Sequence, residues 1–69
     1  MVRETTIPKA PATRILMDAG AKRVSAEAIN AFVDVLEERA QSIAKRALDL
    51  AKHSGRKTIH AEDIKLAVK

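Results

Sequence analysis

The chain has no cysteine, and no apolar run long enough to cross a membrane. The first absence excludes disulfide bonds and metal sites built on thiolates. The second argues against a membrane span and a secretory signal. We therefore expect a small intracellular, cytoplasmic protein without a membrane partner, although the lack of cysteine is compatible with any compartment.

Aromatic side chains are almost absent, since Phe32 is the only one although 46% of the residues are hydrophobic. Proteins that bind RNA or single-stranded DNA commonly stack bases on several aromatic rings. That class is disfavoured here. The apolar residues are mostly Ala, Ile, Leu and Val, which suit close helix–helix packing.

Glycine and proline are also scarce, with two of each in 69 residues. Their positions divide the chain into three predicted helices. The first runs from about Pro11 to Ala19, with Gly20 where a left-handed C-terminal cap is expected. The second runs from Ser25, as N-cap, to His53, and the third begins at Thr58 as N-cap.

The second predicted helix has about 29 residues and a length of about 44 Å. Apolar residues recur along it at helical spacing: Ile29, Phe32, Leu36, Ala40, Ile43, Ala47, Leu50 and Ala51. Further apolar residues widen this stripe: Val33, Val35, Ala44 and Leu48. Two short flanking helices cannot cover so much apolar surface, so we expect a dimer. A coiled coil is disfavoured, because the repeat is alanine-rich and short.

Positive charge predominates, with 13 Lys and Arg against 9 Asp and Glu and a net charge of +4. A dimer would carry about +8, which suits a polyanionic partner. The charged residues of the long helix are interpreted as a solvated face of mixed sign: Asp34, Glu37, Glu38, Asp49, Arg39, Lys45, Arg46 and Lys52.

Two similar segments between the helices are the candidate binding sites. The first loop (residues 19–25, AGAKRVS) and the second loop (residues 54–58, SGRKT) each contain a glycine, two adjacent cations and a hydroxyl at a predicted helix start. Backbone N–H groups, a positive helix end and a cation are the groups that hold phosphate. The alternative is that each is a solvated turn with capping residues. Arg14, on the first helix, is a candidate for a phosphate or minor-groove contact.

No arrangement of residues suggests catalysis. His53 and His60 lack a partner nucleophile, and a structural zinc site would need about four ligands. We therefore expect no enzyme, no metal and no cofactor. Arg56 and Asp63 are candidates for an ion pair, or alternatively for a surface pair of little energetic value.

The sequence resembles the archaeal histones over nearly its whole length. The resemblance rests on Pro8 and Pro11, on RIL at residues 14–16, on DAGAKRVS at residues 18–25 and on AKHSGRKTIHAEDI at residues 51–64. It implies an all-α histone fold of a short, a long and a short helix over residues 8–69, after an N-terminal arm at residues 1–7. It further implies a handshake homodimer, or a heterodimer with a paralogue, that wraps double-stranded DNA without sequence specificity. Such dimers would form tetramers and longer nucleosome-like assemblies on the chromosome.

The same resemblance implies roles for individual residues. Arg14 would be the minor-groove arginine, and Arg23, Lys57 and Thr58 would contact phosphates where the first loop of one subunit meets the second loop of the other. The composition of the loops adds Lys22, Ser25 and Arg56 to the expected DNA contacts. The apolar stripe of the long helix places Phe32, Leu36, Ile43 and Ala47 in the expected dimer core. A dimer–dimer interface would include Leu50, His53 and Asp63, and Gly20 would lie where turns of a superhelix approach each other.

Some residues depart from the pattern expected of the archaeal histones, namely Lys9, Ala12, Ala26 and Asn30. They leave affinity and partner choice open. A histone-fold interaction module that does not wrap DNA is a second hypothesis, against which the two basic loops argue. A helix-turn-helix repressor is disfavoured by the long central helix.

Overall fold

The structure, a computed structural model, describes residues 6–69. Over this range it contains three α-helices and no β-strand: α1 (Lys9–Asp18), α2 (Ala26–His53) and α3 (Ala61–Ala67). The predicted order of a short, a long and a short helix is confirmed. Residues 1–5 of the predicted arm lie outside the described residues. No helix within residues 6–69 has both the length and the apolar character that a membrane span requires.

The chain divides into two compact units, one ending at Glu38 and the other comprising Arg39–Lys69. In the first unit the buried apolar residues are Ala12 of α1 and Val33 of α2. In the second they are Ala47, Ala51 and Ala67. Among the described residues, Val33 is therefore the only buried apolar side chain larger than alanine.

Helix α1 begins at Lys9, two residues before the predicted start, and ends at Asp18 instead of Ala19. Pro8 is the N-cap, with φ −65° and ψ 146°. Pro11 therefore lies within the first turn, where a missing N–H costs no helical hydrogen bond. The predicted start was two residues too late, because Pro11 is the third residue of the first turn and not the first.

Helix α2 has the predicted ends. The N–H of Ala28 donates to the Ser25 hydroxyl oxygen at 3.1 Å, which confirms Ser25 as the capping residue. Glu27 lies in the first turn, and Lys52 and His53 lie in the last turn. Acidic residues at the start and basic residues at the end both favour the helix dipole.

Helix α1 ends in a Schellman motif at Gly20. The Gly20 N–H donates to the Met17 carbonyl at 3.0 Å, and the Ala21 N–H donates to the Leu16 carbonyl at 3.3 Å. Gly20 has φ +117°, a value that residues with a Cβ rarely adopt. The predicted left-handed cap is confirmed.

The same motif ends α2 at Gly55. Its N–H donates to the Lys52 carbonyl at 2.9 Å, and the Arg56 N–H donates to the Ala51 carbonyl at 2.9 Å. Gly55 has φ +76°. The two loops, which are similar in sequence, therefore also share the backbone geometry at their glycines.

Helix α3 begins at Ala61, with His60 as N-cap, so the prediction of Thr58 as N-cap was wrong. The reason is the Asp63 carboxylate, which accepts the His60 N–H at 2.7 Å. This bond fixes the first turn of α3 two residues later than the Thr58 hydroxyl would. Glu62 and Asp63 lie in the first turn.

Replacing Gly55 should destabilise the protein through its backbone alone. Gly55→Ala is expected to cost about 1 kcal/mol in the free energy of unfolding, because alanine is strained at positive φ. A Cβ at this position would meet no atom within 4 Å, so no steric clash adds to the cost. Gly55→Asn is the matched control and should cost less, since asparagine tolerates this conformation. Urea denaturation at one fixed protein concentration measures both, and equal losses would contradict this explanation.

Candidate nucleic-acid interface

The first loop joins α1 to α2 and presents two cations. Lys22 and Arg23 are exposed, and they lie just before the Ser25 cap of α2. An open depression lies at this loop, lined by Thr13, Met17, Lys22, Arg23, Val24 and Ser25. Exposed cations beside the positive end of a helix can hold an anion such as a phosphate.

The second loop contains one cation that is hydrogen-bonded within the chain, Arg56, and one exposed cation, Lys57. The Arg56 guanidinium donates two hydrogen bonds to the Asp63 carboxylate, at 2.9 and 3.0 Å, and a third to the Thr58 carbonyl at 3.0 Å. Lys57 and Thr58 are exposed. The ion pair expected between Arg56 and Asp63 is therefore present, and it is bidentate.

The ion pair joins the second loop to the first turn of α3. Asp63 is buried, with 3% of its surface exposed, whereas the Arg56 side chain is 30% exposed. The hydrogen bonds from Arg56 and from the His60 N–H lower the pKa of Asp63 from 3.8 to about 2, against the opposing effect of desolvation. The hydrogen bond to Asp63 also raises the pKa of Arg56. Arg56 is thus a structural residue of the loop, whatever else it contacts.

The other predicted site residues occupy varied environments. Arg14 is exposed on α1, and Gly20 is exposed in the first loop. His53 is exposed and Leu50 is half-buried at the end of α2. The predicted dimer-core residues Phe32, Leu36 and Ile43 are half-buried, whereas Ala47 is fully buried. The roles of all these residues remain predictions.

The assignment of Glu37 to a solvated face was wrong. Only 5% of Glu37 is exposed, and its carboxylate oxygen Oε1 accepts hydrogen bonds from the backbone N–H groups of Thr6 and Ile7. Its partners are 31 and 30 residues away in the chain. No local pattern signals such a contact, because backbone donors carry no sequence identity.

Within residues 6–69 there is no group of three or more His, Asp or Glu side chains arranged to hold a metal ion. His60 lies at the start of α3 as its N-cap, and His53 lies in the last turn of α2. The features that stand out in this part of the chain are therefore the two basic loops.

Comparison with known proteins places the chain in a family. Residues 5–68 match the family described as histone-like transcription factor (CBF/NF-Y) and archaeal histone. The chain is 49% identical over 63 residues to a subunit of the archaeal histone HAN1 of Thermococcus zilligii, covering 91% of this chain and 94% of that one. It is 51% identical, with the same coverage, to probable archaeal histone 3 of Methanocaldococcus jannaschii.

A third relative is more distant. The DNA-binding protein HmvA of Methanococcus voltae is 41% identical over 58 residues, which cover 84% of this chain and 59% of that protein. Together these matches identify the class: a histone-fold protein. The chain belongs to the family of histone-like transcription factors and archaeal histones. Proteins of this family are not enzymes, so the prediction that this chain is not an enzyme is confirmed.

The Asp63 pKa predicts how stability should depend on pH. Because the pKa is lowered on folding, the stabilisation is present above pH 3.8, the pKa of the unfolded chain, and is lost as the pH falls towards about 2. Asp63→Asn should therefore be less stable than the wild type at pH 6, with a difference that shrinks between about pH 5 and pH 2. Denaturation at a series of pH values measures this. Glu62→Gln, in the same turn, is the control, and a difference for Asp63→Asn that stayed constant with pH would contradict the assignment.

Proposed function

We propose that this protein is an architectural DNA-binding protein that dimerises and bends duplex DNA around its outside. The observation that carries the proposal is the pair of basic loops. Each contains a Schellman glycine and at least one exposed cation: Lys22 and Arg23 in the first loop, and Lys57 in the second. The first loop leads into α2, and two residues separate the second loop from α3. In a chain of the histone family, two such loops are best explained as binding sites for the phosphate backbone of DNA.

The dimer is proposed from the small size of the buried core. Large apolar side chains remain exposed in the single chain: Ile15, Met17, Val35, Leu48, Ile59, Ile64, Leu66 and Val68. A chain of 69 residues is too small to leave this surface in water without a large loss of stability. Either a second copy or a paralogue could cover it, and the relative from Thermococcus zilligii is itself named as one subunit of a histone.

The DNA-binding site is proposed to form across the dimer. In the handshake arrangement, the first loop of one protomer lies beside the second loop of its partner. Lys22, Arg23 and Ser25 would then share a stretch of phosphates with Lys57 and Thr58. Arg56 would act mainly by holding the second loop in shape, because its guanidinium already donates to Asp63 and to the Thr58 carbonyl. Arg14 would reach the minor groove.

Larger assemblies are proposed to form at the end of α2 and at the first loop. Leu50 and His53 would meet a second dimer, with Asp63 acting there through its pair with Arg56. Exposed Gly20 would allow turns of a superhelix to approach closely. Micrococcal nuclease digestion of the DNA complex measures this: a ladder of protected lengths indicates extension, and one length indicates a closed assembly.

The proposed contacts are with backbone and shape, so we expect weak sequence preference and association with the chromosome. The second candidate is a histone-fold interaction module that does not wrap DNA, since the matched family also includes transcription factors. A gel shift with random duplex DNA separates the two functions.

Neutralising Lys57 should weaken binding equally for all duplex sequences. Each dimer carries two copies, so Lys57→Gln is expected to reduce the slope of log affinity against log salt by about two. Fluorescence anisotropy with random duplexes between about 50 and 200 mM salt measures the slope. Lys65→Gln is the matched control, because Lys65 is exposed on α3 outside both loops. Equal slopes for the two variants would refute the proposed contact of Lys57 with phosphate.

A dimer makes stability depend on protein concentration. We expect the midpoint of thermal unfolding to rise with concentration, because unfolding of a dimer releases two chains. Sedimentation equilibrium without DNA should give twice the chain mass of 7.5 kDa. A chain that sediments at 7.5 kDa, with a midpoint independent of concentration, would contradict the dimer.

A further inference from the structure

Glu37 is a buried carboxylate to which the proposed DNA contacts assign no role. It belongs to α2, yet it accepts hydrogen bonds from the N–H groups of Thr6 and Ile7, just before α1. Burying a carboxylate is costly unless hydrogen bonds compensate for the lost water. Two N–H groups converging on one buried oxygen provide such compensation.

The start of α1 lacks the usual stabilising groups. Its N-cap, Pro8, makes no side-chain capping hydrogen bond, and its first turn contains no acidic residue. Lys9 places a positive charge in that turn, where the helix dipole favours a negative one. Helix α1 therefore depends on a negative group from elsewhere in the chain more than α2 and α3, whose first turns contain acids.

We propose that Glu37, supplied by α2, anchors the segment that leads into α1. Its carboxylate binds the two N–H groups that immediately precede Pro8 and places a negative charge near the positive end of α1. Pro8 has a restricted φ, so a chain fixed at Thr6 and Ile7 enters α1 along a defined path.

This contact gives Glu37 a positioning role in DNA binding, a step that rests on the proposed function. Arg14 lies on α1, five positions after Lys9, and is exposed. Fraying of the first turn of α1 would give Arg14 more than one orientation towards DNA. A fixed first turn presents its guanidinium in one orientation, which reduces the entropy lost on binding.

Amide hydrogen exchange, followed by NMR on the full chain without DNA, tests this contact directly. In Glu37→Ala, the Thr6 and Ile7 amides should exchange at least about tenfold faster than in the wild type, because a charged acceptor is lost. Glu37→Gln retains an acceptor oxygen without the charge, so its exchange rates should be intermediate. Asp34→Asn, which removes an exposed charge from the same helix, should leave both rates unchanged.

A double-mutant cycle on DNA affinity tests the positioning role. Arg14→Ala should weaken binding in the wild type and should weaken it less in the Glu37→Gln and Glu37→Ala backgrounds. In the Asp34→Asn background, the effect of Arg14→Ala should equal that in the wild type. A merely structural role for Glu37 would lower stability and leave the effects of the two substitutions additive.

The possible results separate the two levels of the proposal. Unchanged exchange of the Thr6 and Ile7 amides in both Glu37 variants would overturn the proposed anchor. Altered exchange with additive affinities would overturn the positioning role. Failure of the wild type to bind duplex DNA would overturn the proposed function, while the exchange result would still decide whether Glu37 anchors the segment before α1.

Discussion

The physical constraint behind this structure is the shortage of buried apolar volume. Within residues 6–69 the buried apolar side chains are four alanines and Val33, while eight large apolar residues remain exposed. Burial of apolar surface is the main term favouring folding, and small side chains contribute little of it. The fold therefore relies on well-defined helix ends and polar contacts within the chain, and, as we propose, on a second chain for the rest of its core.

The polar contacts concentrate at the points where the chain changes direction. Two Schellman motifs end α1 and α2, and the Ser25 hydroxyl caps the start of α2. Asp63 joins the second loop to the start of α3 by accepting from Arg56 and from the His60 N–H. These bonds use backbone groups that helix ends otherwise leave unpaired. The same loops carry the exposed cations, so the groups that shape the loops also orient the proposed phosphate contacts.

The Arg56–Asp63 pair changes how the second loop is understood. By sequence alone, Arg56 and Lys57 are both candidates for phosphate binding, although Arg56 is also a candidate for an ion pair with Asp63. In the structure, Arg56 donates three hydrogen bonds within the chain, whereas Lys57 is exposed. A planar guanidinium suits a bidentate pair with a carboxylate, and a flexible ammonium suits an exposed contact with phosphate. Arg56 therefore supports the structure of the loop, whereas Lys57 is the proposed phosphate contact.

The sequence by itself determined the helix order, both ends of α2 and the glycine cap of α1. These features depend on neighbouring residues, since a capping hydroxyl or a left-handed glycine acts within one turn. Membership of the histone family was likewise readable from the loop motifs. Only the tertiary structure decided that α3 begins after His60, that Arg56 is committed to Asp63, and that Glu37 is buried against the segment preceding α1. Those outcomes depend on which carboxylate lies near which donor, and a backbone N–H 30 residues away leaves no mark in the sequence.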